Sequence, residues 1–100
     1  MPRCKKQRCC RHLENEIIYK PAGIHCAELG EVFIELDEFE ALQLCDLEDL
    51  DQEAAGAKMG VSRGTIQRLL TSGRRKLMAA IVNQDVIRIN NIPVLKNEED

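Results

Sequence analysis

The sequence predicts a mainly α fold built around a helix-turn-helix, with short strands flanking the helices. Three observations carry that prediction. Gln52–Thr71 alternates small, apolar and capping residues at the spacing of two short helices joined by a tight turn. An apolar stripe of helical period then continues to Val82, and shorter apolar runs lie outside it at Val32–Leu36 and Val86–Leu95. A chain of 100 residues suits one domain and buries between about 60% and 70% of its unfolded surface, enough for a single modest core.

Met1–Lys20 reads as a basic arm, with six Lys or Arg against two Glu and no periodicity in its first dozen residues. Such arms reach along a phosphate backbone or into the minor groove, or merely solubilise. Residues 21–83 then form the helix-turn-helix domain. Pro21 and Gly23 mark a turn, and Val32–Leu36 is a short strand in which Val32, Ile34 and Leu36 alternate with Phe33 and Glu35. The first helix, over about 37–47, starts at Asp37, which has capping-box spacing to Glu40; Phe39, Leu42, Cys45 and Leu47 supply its apolar contacts.

The second helix spans about 51–59. Asp51 can cap its free amides, and Gly60 follows its last periodic residue, where a left-handed backbone is usual. Ser62 restarts the chain as the cap of a third helix over about 62–82, with Val61 and Ile66 placed as a hydrophobic staple. Ala55, Met59, Val61, Ile66 and Leu69 are the apolar positions of this corner, and Ala54–Ala57 are all small where the helices approach. At 100° per residue the third helix buries Ile66, Leu69, Leu70, Gly73, Leu77, Ala80 and Ile81. Residues 84–100 read as a C-terminal hairpin and tail, with Val86–Ile89 returning on Ile92–Leu95 through Asn90-Asn91, weakened by Pro93.

Charge gives the corner a function. Lys58–Met78 holds six basic residues and no acid, whereas Pro21–Ala57 holds eleven Asp and Glu and no Lys or Arg, so the net charge of −3 conceals a dipolar chain. A phosphate backbone meets the local field. The exposed face of the third helix presents guanidinium forks and an amide, the groups that pair bidentately with guanine and adenine edges. Arg63, Gln67 and Arg68 are therefore expected to read bases, and Gln52, Ser62, Thr65, Thr71 and Arg75 to contact phosphates, with Gly64 clearing space where the helix enters the groove. Only three aromatics, Tyr19, Phe33 and Phe39, are available for stacking single-stranded bases, which favours duplex DNA.

Pro21-Ala22-Gly23-Ile24, Glu28-Leu29-Gly30-Glu31-Val32, Leu36-Asp37-Glu38-Phe39-Glu40-Ala41-Leu42-Gln43-Leu44, Asp46-Leu47-Glu48, Gln52-Glu53-Ala54-Ala55 and Met59–Leu70 resemble the uncharacterised protein family 0251, also called domain of unknown function 134, over roughly Met1–Ile89. The resemblance implies a small prokaryotic protein with a DNA-binding helix-turn-helix similar to region 4 of RNA polymerase sigma factors. It also implies that some relatives carry, or are encoded near, a domain resembling dinitrogenase iron-molybdenum cofactor binders, which makes such a protein a partner to test. Gly56, in place of a more usual alanine, and Gly30, within a usual acidic run, depart from the family pattern.

Other classes fit less well. Cys4, Cys9, Cys10 and Cys26 with His12 and His25 are donors enough for a metal, but Cys4-x4-Cys9-Cys10 and His25-Cys26 do not form matched knuckles, so neither metal nor cofactor is expected. Cys45 reads as a small core residue. No nucleophile with an adjacent base and no phosphate-cradling glycine loop stands out, and the acids of 28–53 read as a solvated surface, so no enzymatic activity is expected. The longest apolar run, Leu77–Val82, cannot span a bilayer, and the basic N-terminus lacks the apolar segment of a secretory signal, which makes a cytoplasmic location the expectation. The expected function is sequence-specific duplex DNA binding by a transcriptional regulator, working as a homodimer paired through the hairpin at 86–95 in preference to the strand at 32–36. A protein-interaction or metal-sensing adaptor using the acidic segment is the alternative.

Overall fold

A computed structural model describes residues 10–90 and the two short strands at 6–7 and 95–96. In chain order the elements are β1 (Lys6–Gln7), β2 (Ile17–Tyr19), a 3-10 turn (Cys26–Glu28), β3 (Glu31–Ile34), α1 (Leu36–Leu42) running into a π-helical turn (Gln43–Leu47), α2 (Gln52–Met59), α3 (Arg63–Asn83), β4 (Val86–Ile89) and β5 (Leu95–Lys96). The fold is mainly helical, three α-helices beside a small three-stranded sheet, as the sequence predicts.

The sheet is the main departure. Val86–Ile89 does not fold back as one arm of a hairpin: β4 is the central strand of the order β2-β4-β3. It pairs antiparallel with β2, with Ile17 opposite Ile89, and parallel with β3, with Ile34 opposite Ile89. Leu95–Lys96 pairs instead with Lys6–Gln7, and Pro93 lies outside the described residues. The arm expected over 1–20 thus contributes β2 to the sheet. The physical reason is burial on both sides: Val86, Ile87 and Ile89 are all buried, a near-continuous apolar run typical of a central strand with a parallel neighbour.

The first helix also begins differently. Leu36 is its first residue and ends no strand; the extended residue before it is Glu35, two positions ahead of the expected cap at Asp37. Glu38 then does what was assigned to Glu40, its carboxylate accepting the Glu35 N–H at 2.9 Å. Asp37 is fully buried and accepts the N–H of Glu38 at 2.8 Å. The π-helical turn adds a residue to the following turn and rotates what comes after it, so Leu47, expected in the core, is 73% exposed.

Two apolar clusters hold these layers together. Ala41, Leu44, Ala55, Met59, Ile66, Leu69 and Leu70 join the three helices, with Cys45 and Val61 packed against them. Ile34, Ile87 and Ile89 join Ala80 of α3 on the inner sheet face, with Val32, Phe39 and Leu77 beside them. The apolar stripe of α3 is buried as expected except at its margin, where Ile81 is 63% exposed because the sheet covers only Ala80 and Leu77 at that end.

Candidate nucleic-acid interface

α2 and α3 meet in a corner whose local causes are visible residue by residue. Asp51, extended at φ −75°, accepts the Ala54 N–H at 2.7 Å and opens α2. Gly60 closes it at φ +69°, a left-handed conformation that costs glycine little. Ser62 opens α3 by accepting the Thr65 N–H at 3.2 Å. Gly56 is where the two helices come closest: a Cβ there would stand 2.7 Å from the Val61 carbonyl oxygen. That contact is with backbone, so any side chain at position 56 would force the two helices to shift apart.

Beyond the corner, the outer face of α3 carries Arg63, Gly64, Gln67, Arg68, Thr71 and Arg75, all exposed, as the helical period requires. Gly64, Gln67, Arg68, Thr71, Ser72, Arg75 and Lys76 line one shallow groove along the helix, and Asp51, Gln52, Glu53, Arg63 and Gln67 line a second at the mouth of the corner. The nine residues singled out from the sequence therefore surround one edge of the corner, but not all face outward. Thr65, placed among the phosphate contacts, is 4% exposed. Its hydroxyl lies 3.1 Å from that of Ser62 and accepts a hydrogen bond from Arg68 Nη2 at 3.1 Å, so it orients its neighbours from within the first turn. Thr71 donates its hydroxyl proton back to the Gln67 carbonyl at 2.9 Å, a common use of threonine inside a helix. Gln52 is half-buried, and its Oε1 is buried without a hydrogen-bond partner among the described residues.

The acidic segment decides which cations remain available. Asp46 takes Arg74 in a two-point contact at 2.6 and 3.1 Å. The hydrogen bonds from Arg74 hold the Asp46 carboxyl below the usual carboxylate range, and Asp46 raises the Arg74 guanidinium in return. Glu38, almost wholly buried, accepts Lys76 Nζ at 2.8 Å, the Ser72 hydroxyl and the Glu35 amide. Arg11, expected on the basic arm, is bound by Glu40 at 2.8 Å and Glu48 at 2.7 Å, and the hydrogen bond it donates to Glu48 raises its guanidinium above the ordinary value. Asp37, Glu38 and Glu40 are thus buried structural acids, contrary to the expectation of a solvated surface, because each has a donor within reach. Among the described residues, Lys58, Arg63 and Arg75 have no carboxylate partner, and the last two lie on the outer face of α3.

Those ion pairs join residues 28 to 38 positions apart, and no local sequence pattern signals them. Among the described residues no cluster of His, Cys, Asp and Glu is placed to hold a metal, and Cys4, Cys9 and the Cys26 side chain lie outside the description. Cys45 packs beside the helical core, where burial pushes its thiol up, as a small core residue would. No helix among the described residues is long and apolar enough to cross a membrane.

Comparison with known proteins agrees with the resemblance read from the sequence. The family profile described as protein of unknown function DUF134 matches residues 1–92. A UPF0251 protein of Shewanella oneidensis is 42% identical over 92 residues, covering 89% of this chain and 91% of the relative. A second, from a Thermoanaerobacter species, is 40% identical over 101 residues, covering 99% and 89% respectively. A third, from Pelotomaculum thermopropionicum, is 40% identical over 89 residues, covering 89% and 67%. No solved structure matches the chain. With a profile covering most of its length and relatives of 40% and 42% identity aligned nearly end to end, this chain belongs to the UPF0251 (DUF134) family.

Proposed function

We propose that the protein binds double-stranded DNA by laying the N-terminal half of α3 in the major groove, and that it acts as a transcriptional regulator. The observation that carries this reading is the outer face of α3. Arg63, Gln67 and Arg68 stand exposed around Gly64 at the start of the helix, with Arg75 further along the same face, while Asp46 and Glu38 are occupied by Arg74 and Lys76. Base-edge readout needs guanidinium and amide groups near the N-terminus of a helix held at a fixed angle, which the α2–α3 corner supplies, as do other helix-turn-helix proteins including region 4 of sigma factors.

Arg63, Gln67 and Arg68 are assigned to base edges, and Arg75, Thr71, Ser62 and Gln52 to the flanking phosphates. Competing use of the acidic segment by a basic protein partner has less to recommend it, since Glu38, Glu40, Asp46 and Glu48 are paired within the chain. The test is selection of genomic duplex fragments by the full chain, followed by titration at several salt concentrations. The expected result is a preferred sequence, with log K falling against log salt at a slope of about −0.9 per neutralised phosphate. Absence of duplex binding at low salt would overturn the reading.

A further inference from the structure

The outward face of α3 changes character along its length. Gly64, Gln67, Arg68, Thr71 and Arg75 give way to Met78 and Val82, which continue the same face at 58% and 71% exposure, with Ile81 beside them at 63%. No charged residue occurs from Leu77 to Gln84. Next to this apolar ridge lies a groove of about 500 Å³ between the end of α3 and the segment after β2, its wall mostly apolar, from Tyr19, Pro21, Ile24 and Ile81, with Lys20 and Asp85 also lining it. Tyr19 itself is 67% exposed.

We propose that this end of α3 is where two copies of the chain pair, the Met78–Val82 ridge of each seated in the groove of the other. A ridge and a groove side by side on one surface are self-complementary under a two-fold axis, where each contact occurs twice. The areas are sufficient. Tyr19, Met78, Ile81 and Val82 expose on the order of 100 to 150 Å² each, which over both copies reaches about 1,000 Å², the threshold for a specific interface before any rim is counted. Pairing here desolvates no charge in the ridge, and the charges on the groove wall are two of opposite sign, Asp85 and Lys20, whose ammonium donates to the Ile24 carbonyl at 2.7 Å. The other exposed apolar pair, Ile18 and Phe33 on the outer sheet face, flanks Arg88 in register, so covering it would bury a guanidinium and its Glu31 partner.

The pairing stands without the DNA reading and gives that reading its geometry. Gln67 and Val82 are about 22 Å apart along the helix axis at 1.5 Å per residue. Two copies of α3 joined near Val82 would hold their reading ends up to about 45 Å apart, a span that admits one turn of duplex.

Sedimentation equilibrium of the full chain, in the absence of DNA and up to about 100 μM, tests the pairing directly. A species of twice the 11.3 kDa chain mass is expected. Val82→Glu and Ile81→Glu, at exposed positions that leave the helical circular dichroism unchanged, should each raise the monomer–dimer Kd at least about tenfold, and the milder Met78→Ser should act in the same direction. Phe33→Glu should leave the dimer intact. A monomer at the highest concentration, a dimer untouched by the α3 substitutions, or one dissolved only by Phe33→Glu would each overturn the proposal.

Discussion

Arg68 and Thr65 form the smallest unit that matters for the proposed activity. A guanidinium with four rotatable bonds is a poor reader unless something holds it, and the buried Thr65 hydroxyl at 3.1 Å does so from inside the helix's first turn. Arg68→Ala should therefore relax base preference and cost about 1 to 3 kcal/mol on the preferred site, measured by competition among site variants. Arg75→Ala, on a cation with no carboxylate partner, should weaken all duplexes alike and reduce the salt slope by about one unit. Gly64 separates binding from folding most cleanly. A Cβ there meets only Arg68 Nη1 and Ser62 Oγ, at 3.8 and 3.9 Å, so Gly64→Ala should raise stability by about 0.4 to 1 kcal/mol in a thermal melt while lowering affinity for duplex. Equal or tighter binding by this variant would mean that DNA does not approach α3 at its first turn.

At the scale of elements, the corner was legible because its signals are local. Asp51, Gly60, Ser62 and the small residue at Gly56 each act within a few positions, and α2 and α3 lie within one residue of their expected bounds. The sheet was not legible. Ile17–Tyr19 is too short to show a period, and Val86–Ile89 reads equally well as a hairpin arm or a central strand until its partners, both from far earlier in the chain, are known. At the candidate site the outward side chains of α3 followed from its period, whereas the neutralisation of Arg74 and Lys76 by distant acids did not. That neutralisation is itself testable. The pair Asp46–Arg74 is about half exposed, so Asp46→Asn should cost less than about 1 kcal/mol at neutral pH. Because the folded-state Asp46 carboxyl titrates below its ordinary range, its small contribution is present above that range and is lost as pH falls through the lowered value. Freed from its partner, Arg74 should then steepen the salt dependence of duplex binding. Gly56→Ala should act on the corner itself, destabilising the fold by about 1 to 3 kcal/mol in spite of alanine's better helix propensity, as the Val61 carbonyl must move.

For the molecule as a whole, charge is sorted in two stages: the acids of residues 28–53 tie down Arg11, Arg74, Lys76 and Arg88, and Arg63 and Arg75, among the cations left over, face outward from α3. Deleting residues 1–11 should consequently do more than trim a tail. It removes the Arg11 contacts to Glu40 and Glu48 and should lower the melting temperature as well as any affinity the preceding basic residues contribute. The placement of β4 carries a further consequence, for folding rate and cooperativity. Glu31 meets Val86 and Ile34 meets Ile89, so the three helices form a single long loop whose two ends are stitched together in parallel, and a third strand arrives from still earlier in the chain. Closing such a loop spends its entropy before the non-local pairing rewards it, and that raises contact order for a protein otherwise rich in fast, local helical contacts. The three-helix segment is then not a detachable module. A fragment carrying only residues 36–83 should lack a cooperative thermal transition, and the folding rate of the full chain should fall when β3–β4 contacts such as Ile34→Ala are weakened, which stopped-flow refolding would read directly.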